Sequence, residues 1–113
     1  MNKLMALNKK EEKAVRSFIS AIKEKLKDQL IEAKIFGSKI RGDYSQDSDI
    51  DILIVLDKRN KVLIDILYEQ LLDIELEYDS KISLTIFSQA EYQQNLNAHT
   101  PFMESIINEG VTL

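Results

Sequence analysis

Hydrophobic positions along the chain fall into two rhythms. From Asn8 to about Leu26, the apolar residues Ala14, Val15, Phe18, Ile19, Ile22 and Leu26 recur at helical spacing with Lys and Glu between them. That pattern predicts a first amphipathic helix. Ile31 to Phe36 is short, holds Ile31, Ala33, Ile35 and Phe36, and stops at Gly37, which suits a strand running into a turn. Asp49 to Leu56 reads DIDILIVL and is apolar on both faces after Asp51. Such a run belongs in the middle of a covered sheet, with its two acids at the entering edge. Val62 to about Glu77 returns to helical spacing through Leu63, Ile66, Leu67, Leu71 and Ile74. Lys81 to Phe87 alternates again, with Ile82, Leu84 and Ile86 sharing one face.

Between these elements lie polar segments. Ser38 to Ser48 is expected to be a loop, with room for one helical turn, and Asp57 to Lys61 a charged connection. Ser88 to Asn97 is polar, with no element assigned to it. Thr100 and Pro101 then supply an N-cap and a first-turn proline, and Gly110 a stop, for a short helix over about Pro101 to Glu109. The resulting order is helix, strand, strand, helix, strand, helix. It predicts an α/β (α+β) fold, with a mixed sheet of three or four strands packed by helices, in a single domain over residues 1–113.

Composition narrows the function. The 113 residues contain no Cys, which removes disulfides, thiolate zinc sites and cysteine nucleophiles. No apolar stretch approaches the length of a membrane span, and Lys9 to Lys13 interrupt any leader-like run, so a cytoplasmic protein is expected. A net charge of −4 disfavours direct nucleic-acid binding driven by phosphate neutralisation, while a single nucleotide remains compatible.

Candidate chemistry is concentrated in residues 35–56, IFGSKIRGDYSQDSDIDILIVL. Gly37 lets the backbone approach a phosphate, and Ser38 with the amides after it can donate to phosphate oxygens. Arg41 can add a bidentate phosphate contact. Asp49 and Asp51 project to one side of their strand about 7 Å apart at Cα, close enough to converge on a metal. Two unit charges 4 Å apart repel by about 4 kcal/mol at an effective dielectric near 20. A divalent cation is their natural companion, and magnesium prefers one or two carboxylates plus phosphate oxygens and water. The P-loop alternative fails because Asp43 and Tyr44 stand where Lys and Ser or Thr are required. A calcium loop fails because Ile52 and Lys58 occupy the positions that need Gly and Glu. His99, the only histidine, is expected to serve in a loop or cap.

Gly37-Ser38, ten residues, then Asp49-Ile50-Asp51 resembles the signature of the polymerase-β-type nucleotidyltransferases, and the Arg41-Gly42 and Ser48-Asp49 pairs sharpen the likeness. The short chain resembles the minimal nucleotidyltransferase (MNT) antitoxins paired with HEPN-domain toxins. The resemblance implies ATP as substrate and Mg2+ as cofactor. It gives Gly37, Ser38, Arg41 and Ser48 nucleotide-binding roles and makes Asp49 and Asp51 metal ligands. It further implies transfer of AMP to a hydroxyl, a Tyr, of a HEPN toxin partner. The family's third carboxylate comes from a later strand, here KISLTIF, which has no acid: Lys81 or Ser83 falls at that position, and Asp79 just ahead of the strand is the nearest candidate for the third catalytic acid. The alternative is an MNT-fold module of weak or no catalytic power that neutralises its partner by binding alone.

Overall fold

The computed structural model describes residues 7–41 and 49–113. Helix α1 spans Lys9–Leu26 and opens on a capping box, in which Asn8 accepts from the Glu11 amide at 2.8 Å and Glu11 accepts from the Asn8 amide at 3.0 Å. A 3₁₀ turn, Lys27–Gln29, leads into strand β1, Leu30–Phe36. The one-turn helix α2, Ser38–Arg41, follows Gly37, and strand β2 spans Ile50–Leu56. Helix α3, Lys61–Tyr78, is capped by Asn60, whose Oδ1 accepts from the Leu63 amide at 3.0 Å. Strand β3 is Ile82–Ser88, followed by helices α4, Gln89–Ala98, and α5, Pro101–Glu109, and by the two-residue strand β4, Val111–Thr112.

The sheet order is β3-β2-β1-β4. β1 pairs antiparallel with both β2 and β4, while β2 and β3 run parallel across the α3 crossover. β2 is therefore central, as its apolar run requires, and every residue from Ile52 to Leu56 is buried. Its two faces feed different cores. Ile50, Ile52, Ile54 and Leu56 join Ala33 and Ile35 beneath the apolar faces of α1 and α3. Leu53 and Val55 join Phe36 beneath Met103 and Ile106 of α5, with Phe87, Tyr92 and Leu96 packed alongside.

Two elements depart from the expected order. The polar stretch after β3 is helical, and its hydrophobic period is weak because α4 contributes only half-buried Tyr92 and Leu96 to the apolar packing on the sheet. Its signal is local: Ser88 and Glu91 form a reciprocal capping box at 3.1 and 2.9 Å. Tyr92 anchors the helix, its phenol held above the usual 10.0 first by burial and then by the neighbouring Glu32 carboxylate. The second departure is β4, two residues too short to show a period. It brings the sheet to four strands, and the Leu113 amide extends the pairing by donating to the Ala33 carbonyl at 2.9 Å.

The Glu91 carboxyl lies below its ordinary 4.5, chiefly because it accepts from the Ser88 amide and to a lesser extent because Arg59 faces it. A lowered acid contributes stability that is complete above its ordinary value and is lost as pH falls through the lowered one. Acidification below pH 4.5 should therefore loosen the start of α4. Amide exchange across residues 89–92 should show this, and Glu91→Gln should remove that acid dependence.

Candidate active site

Gly37 leaves β1 with φ of +88°, in the region that penalises any residue bearing a Cβ. Its partner is fixed by the ladder: Phe36 stands opposite Asp51, so the turn begins one residue from that carboxylate. A Cβ built on Gly37 would overlap Asp51 Oδ2 and lie 3.2 Å from Asp51 Cγ. The glycine thus brings turn backbone and carboxylate together in a space that no other residue leaves open. The Ile40 amide donates to the Gly37 carbonyl at 3.1 Å and closes the turn into α2.

Strand alternation places the acids. Ile50 and Ile52 enter the α1/α3 core, so Asp49 and Asp51 project from the opposite face, the one that carries α4 and α5 farther along the sheet. Asp49 is exposed and Asp51 half-buried at the open end of β2. Among the described residues no three acids, histidines or cysteines stand together as a metal cluster. A two-carboxylate set beside a tight glycine turn nonetheless fits magnesium, which takes its remaining ligands from phosphate and water.

Parallel pairing decides what lies on the β3 side. Asp51 is matched with Ser83, and Ile50 with Ile82. The position beside the acid pair therefore holds an exposed hydroxyl, and Lys81, which precedes the strand, is not the matched residue. Asp79 occupies the left-handed C-cap of α3 at φ +50°, where Asp is better tolerated than most residues. It is fully exposed, with Lys10 Nζ at 4.0 Å. The β3 start is set by Glu75, whose carboxylate accepts from the Ile82 amide at 3.1 Å.

Of the remaining candidates, Ser48 falls in the undescribed segment 42–48, and the side chains of Ser38 and Arg41 also lie outside the described residues. His99 caps α4 in the left-handed region, and its Nδ1 lies 2.9 Å from Glu104 Oε1.

Two residues around the turn were not singled out in the sequence. Lys39 is 1% exposed, with its Nζ 2.6 Å from Glu11 Oε2. Glu11 therefore serves both the α1 cap and a buried ion pair that ties α1 to α2. The pairing with Lys39 is a tertiary contact, which helical periodicity in α1 does not reveal. Phe102 lies edge-on to Phe36, with ring centroids 5.7 Å apart at 86°. It is half-exposed and forms an apolar wall beside the ladder partner of Asp51.

The family model for nucleotidyltransferase domains matches residues 15–107. A protein of Methanocaldococcus jannaschii named "Putative protein adenylyltransferase" is 35% identical over 103 residues, covering 91% of this chain and 97% of that one. A crystal structure of the toxin–antitoxin MntA-HpeT superposes with a TM-score of 0.54 at 20% identity, over 95% of this chain and 72% of that one. A toxin–antitoxin crystal structure with AMP-PNP gives 0.53 at 18% identity, over 84% and 68%. Among the described residues no helix is long and apolar enough to cross a membrane.

Proposed function

Because this chain belongs to the nucleotidyltransferase domain family, we propose that it is a magnesium-dependent protein adenylyltransferase that acts as the antitoxin of a HEPN toxin. It moves AMP from ATP to a tyrosine hydroxyl of that partner. The observation that carries this reading is the close approach of the Gly37 turn to Asp51, with Asp49 on the same strand face. The family membership and the adenylyltransferase relative support transfer of a nucleotide. The toxin–antitoxin complexes that share the fold make a protein acceptor the natural choice.

In this reading the turn and the opening of α2 receive the triphosphate, since the first N–H groups of a helix have no intrahelical acceptor. Ser38, Arg41 and Ser48 add donors to phosphate oxygens. Phe102 offers the base a flat apolar surface. Asp49 and Asp51 would hold Mg2+, which would supply charge neutralisation at the phosphates. Asp79 is assigned as the third acid, taking the proton of the tyrosine hydroxyl as its oxygen bonds to the α-phosphorus. Loss of a positioned general base costs about 10²- to 10⁴-fold, so Asp79→Asn should slow transfer within that range while leaving ATP binding intact.

The assay incubates the purified chain and its HEPN partner with α-labelled ATP and magnesium. Label on the partner is expected. No label from a folded wild-type pair would overturn the reading. Gly37→Ala provides a local check: the positive φ costs about 1 to 2 kcal/mol with a Cβ, and displacement of Asp51 should weaken ATP binding measured by calorimetry.

One observation favours a second reading, in which the fold inhibits its partner by contact alone: Ser83, and not an acid, is matched with Asp51. Ser83→Asp discriminates. If turnover lacks only a third carboxylate, this variant should raise transfer by about 10-fold or more. An unchanged rate together with a silent Asp79→Asn would leave binding alone as the function.

A further inference from the structure

The outward side of α3 carries two parallel rows at four-residue spacing. One is apolar: Tyr68, Leu72 and Leu76 are 49%, 57% and 76% exposed. The other, Asp65, Glu69, Asp73 and Glu77, is acidic and exposed throughout. Leu63, Leu67, Leu71 and Ile74 meanwhile bury the inward side against the core shared with α1. The helix is thus apolar on both sides, although only one side is covered by this chain.

The acidic row works against the helix that carries it. Like charges four residues apart destabilise by about 0.2 to 0.5 kcal/mol per pair, and acids near a helix C-terminus oppose the macrodipole. Lys61 offsets only the first position, with its Nζ 2.7 Å from Asp65 Oδ2. Among the described residues no cation pairs with Glu69, Asp73 or Glu77, and the last turn of α3 holds no basic residue.

We propose that this face is the docking surface for a helical protein partner that presents an apolar row flanked by Lys or Arg. Rows at four-residue spacing are the ridges that interlock when two helices cross at about −50°. A matching basic row would neutralise charges that α3 leaves uncompensated. A second copy of this chain is the wrong occupant, because α3 carries five acids against one lysine and two such faces would repel. The surface lies on the α1/α3 side of the sheet, whereas Asp49 and Asp51 project from the other. Docking here leaves the acid pair open, and the surface stands or falls independently of AMP transfer.

The probes are two fluorescein-labelled amphipathic helical peptides with the same leucine row, one flanked by Arg and the other by Glu, titrated into the full chain without ATP. Anisotropy should show binding of the Arg peptide that weakens with salt, and no binding of the Glu peptide. Leu72→Ser/Leu76→Ser should weaken the Arg peptide by at least 10-fold. Glu69→Lys/Asp73→Lys should reverse the preference, a result that mere loss of folding cannot produce. Equal binding of both peptides, binding of neither, or a micromolar dimer that Leu72→Ser/Leu76→Ser dissociates would overturn the proposal.

Discussion

The doubly substituted chain Asp49→Asn/Asp51→Asn is expected to lose AMP transfer by on the order of 10³-fold, corresponding to about 4 kcal/mol of transition-state stabilisation. The substitution keeps side-chain volume and removes both charges from one face of β2. It therefore removes the groups assigned to the metal without disturbing Ile50, Ile52 or the core beneath them. Asp49 is exposed and Asp51 only half-buried at a strand end, so circular dichroism and thermal unfolding should stay close to wild type. Labelled ATP with the proposed HEPN partner gives the rate, and calorimetry with ATP should show that magnesium no longer strengthens binding. Wild-type transfer by the variant would refute the assignment of these two carboxylates. Protection of cells by the variant, with transfer abolished, would identify contact as the inhibitory event.

The second large effect is on stability. Removing one partner of a buried ion pair strands the other charge in the interior at a cost of about 3 to 5 kcal/mol, a substantial part of the roughly 5 to 15 kcal/mol that holds a domain folded. Lys39→Met should show this loss in urea unfolding, because it leaves Glu11 facing an apolar side chain. Glu11→Gln should be comparably costly, since it also weakens the acceptor of the α1 capping box. The double variant should lose less than the sum of the singles, because neither charge is then orphaned. Strict additivity would contradict a direct pairing. If α2 receives the triphosphate as proposed, the pair also bears on nucleotide binding, and Lys39→Met should weaken ATP binding even where the chain remains folded.

Much of this architecture could be read from the letters, and the exceptions have physical reasons. β2 was legible because five consecutive buried residues at its end admit no other placement than the middle of a covered sheet. α1 and α3 were legible from their buried rows and α5 from its cap and proline. α4 escaped because hydrophobic period carries little information when only Tyr92 and Leu96 join the apolar core. Within the site, Gly37 and the Asp49/Asp51 spacing were visible, whereas the overlap of a Gly37 Cβ with Asp51 depends on a cross-strand register. Lys39 illustrates the limit most clearly: nothing in the local sequence singles it out, yet its ammonium is buried beside Glu11, 28 positions upstream. The choice between Lys81 and Ser83 beside Asp51 likewise turned on where β3 begins, which Glu75 fixes from the preceding helix.

The two-residue strand β4 has a consequence for the order in which the molecule is made. β1 is synthesised early and gains β2 on one side as soon as residues 50–56 are available, but its other edge waits for residues 111–113. Until they dock, β1 presents unpaired amides and carbonyls to any neighbouring nascent chain, the configuration from which edge-to-edge aggregation starts. Residues 111–113 thus act as a guard on the emerging sheet, and a chain cut before Val111 would be prone to precipitate during expression even with Asp49 and Asp51 intact.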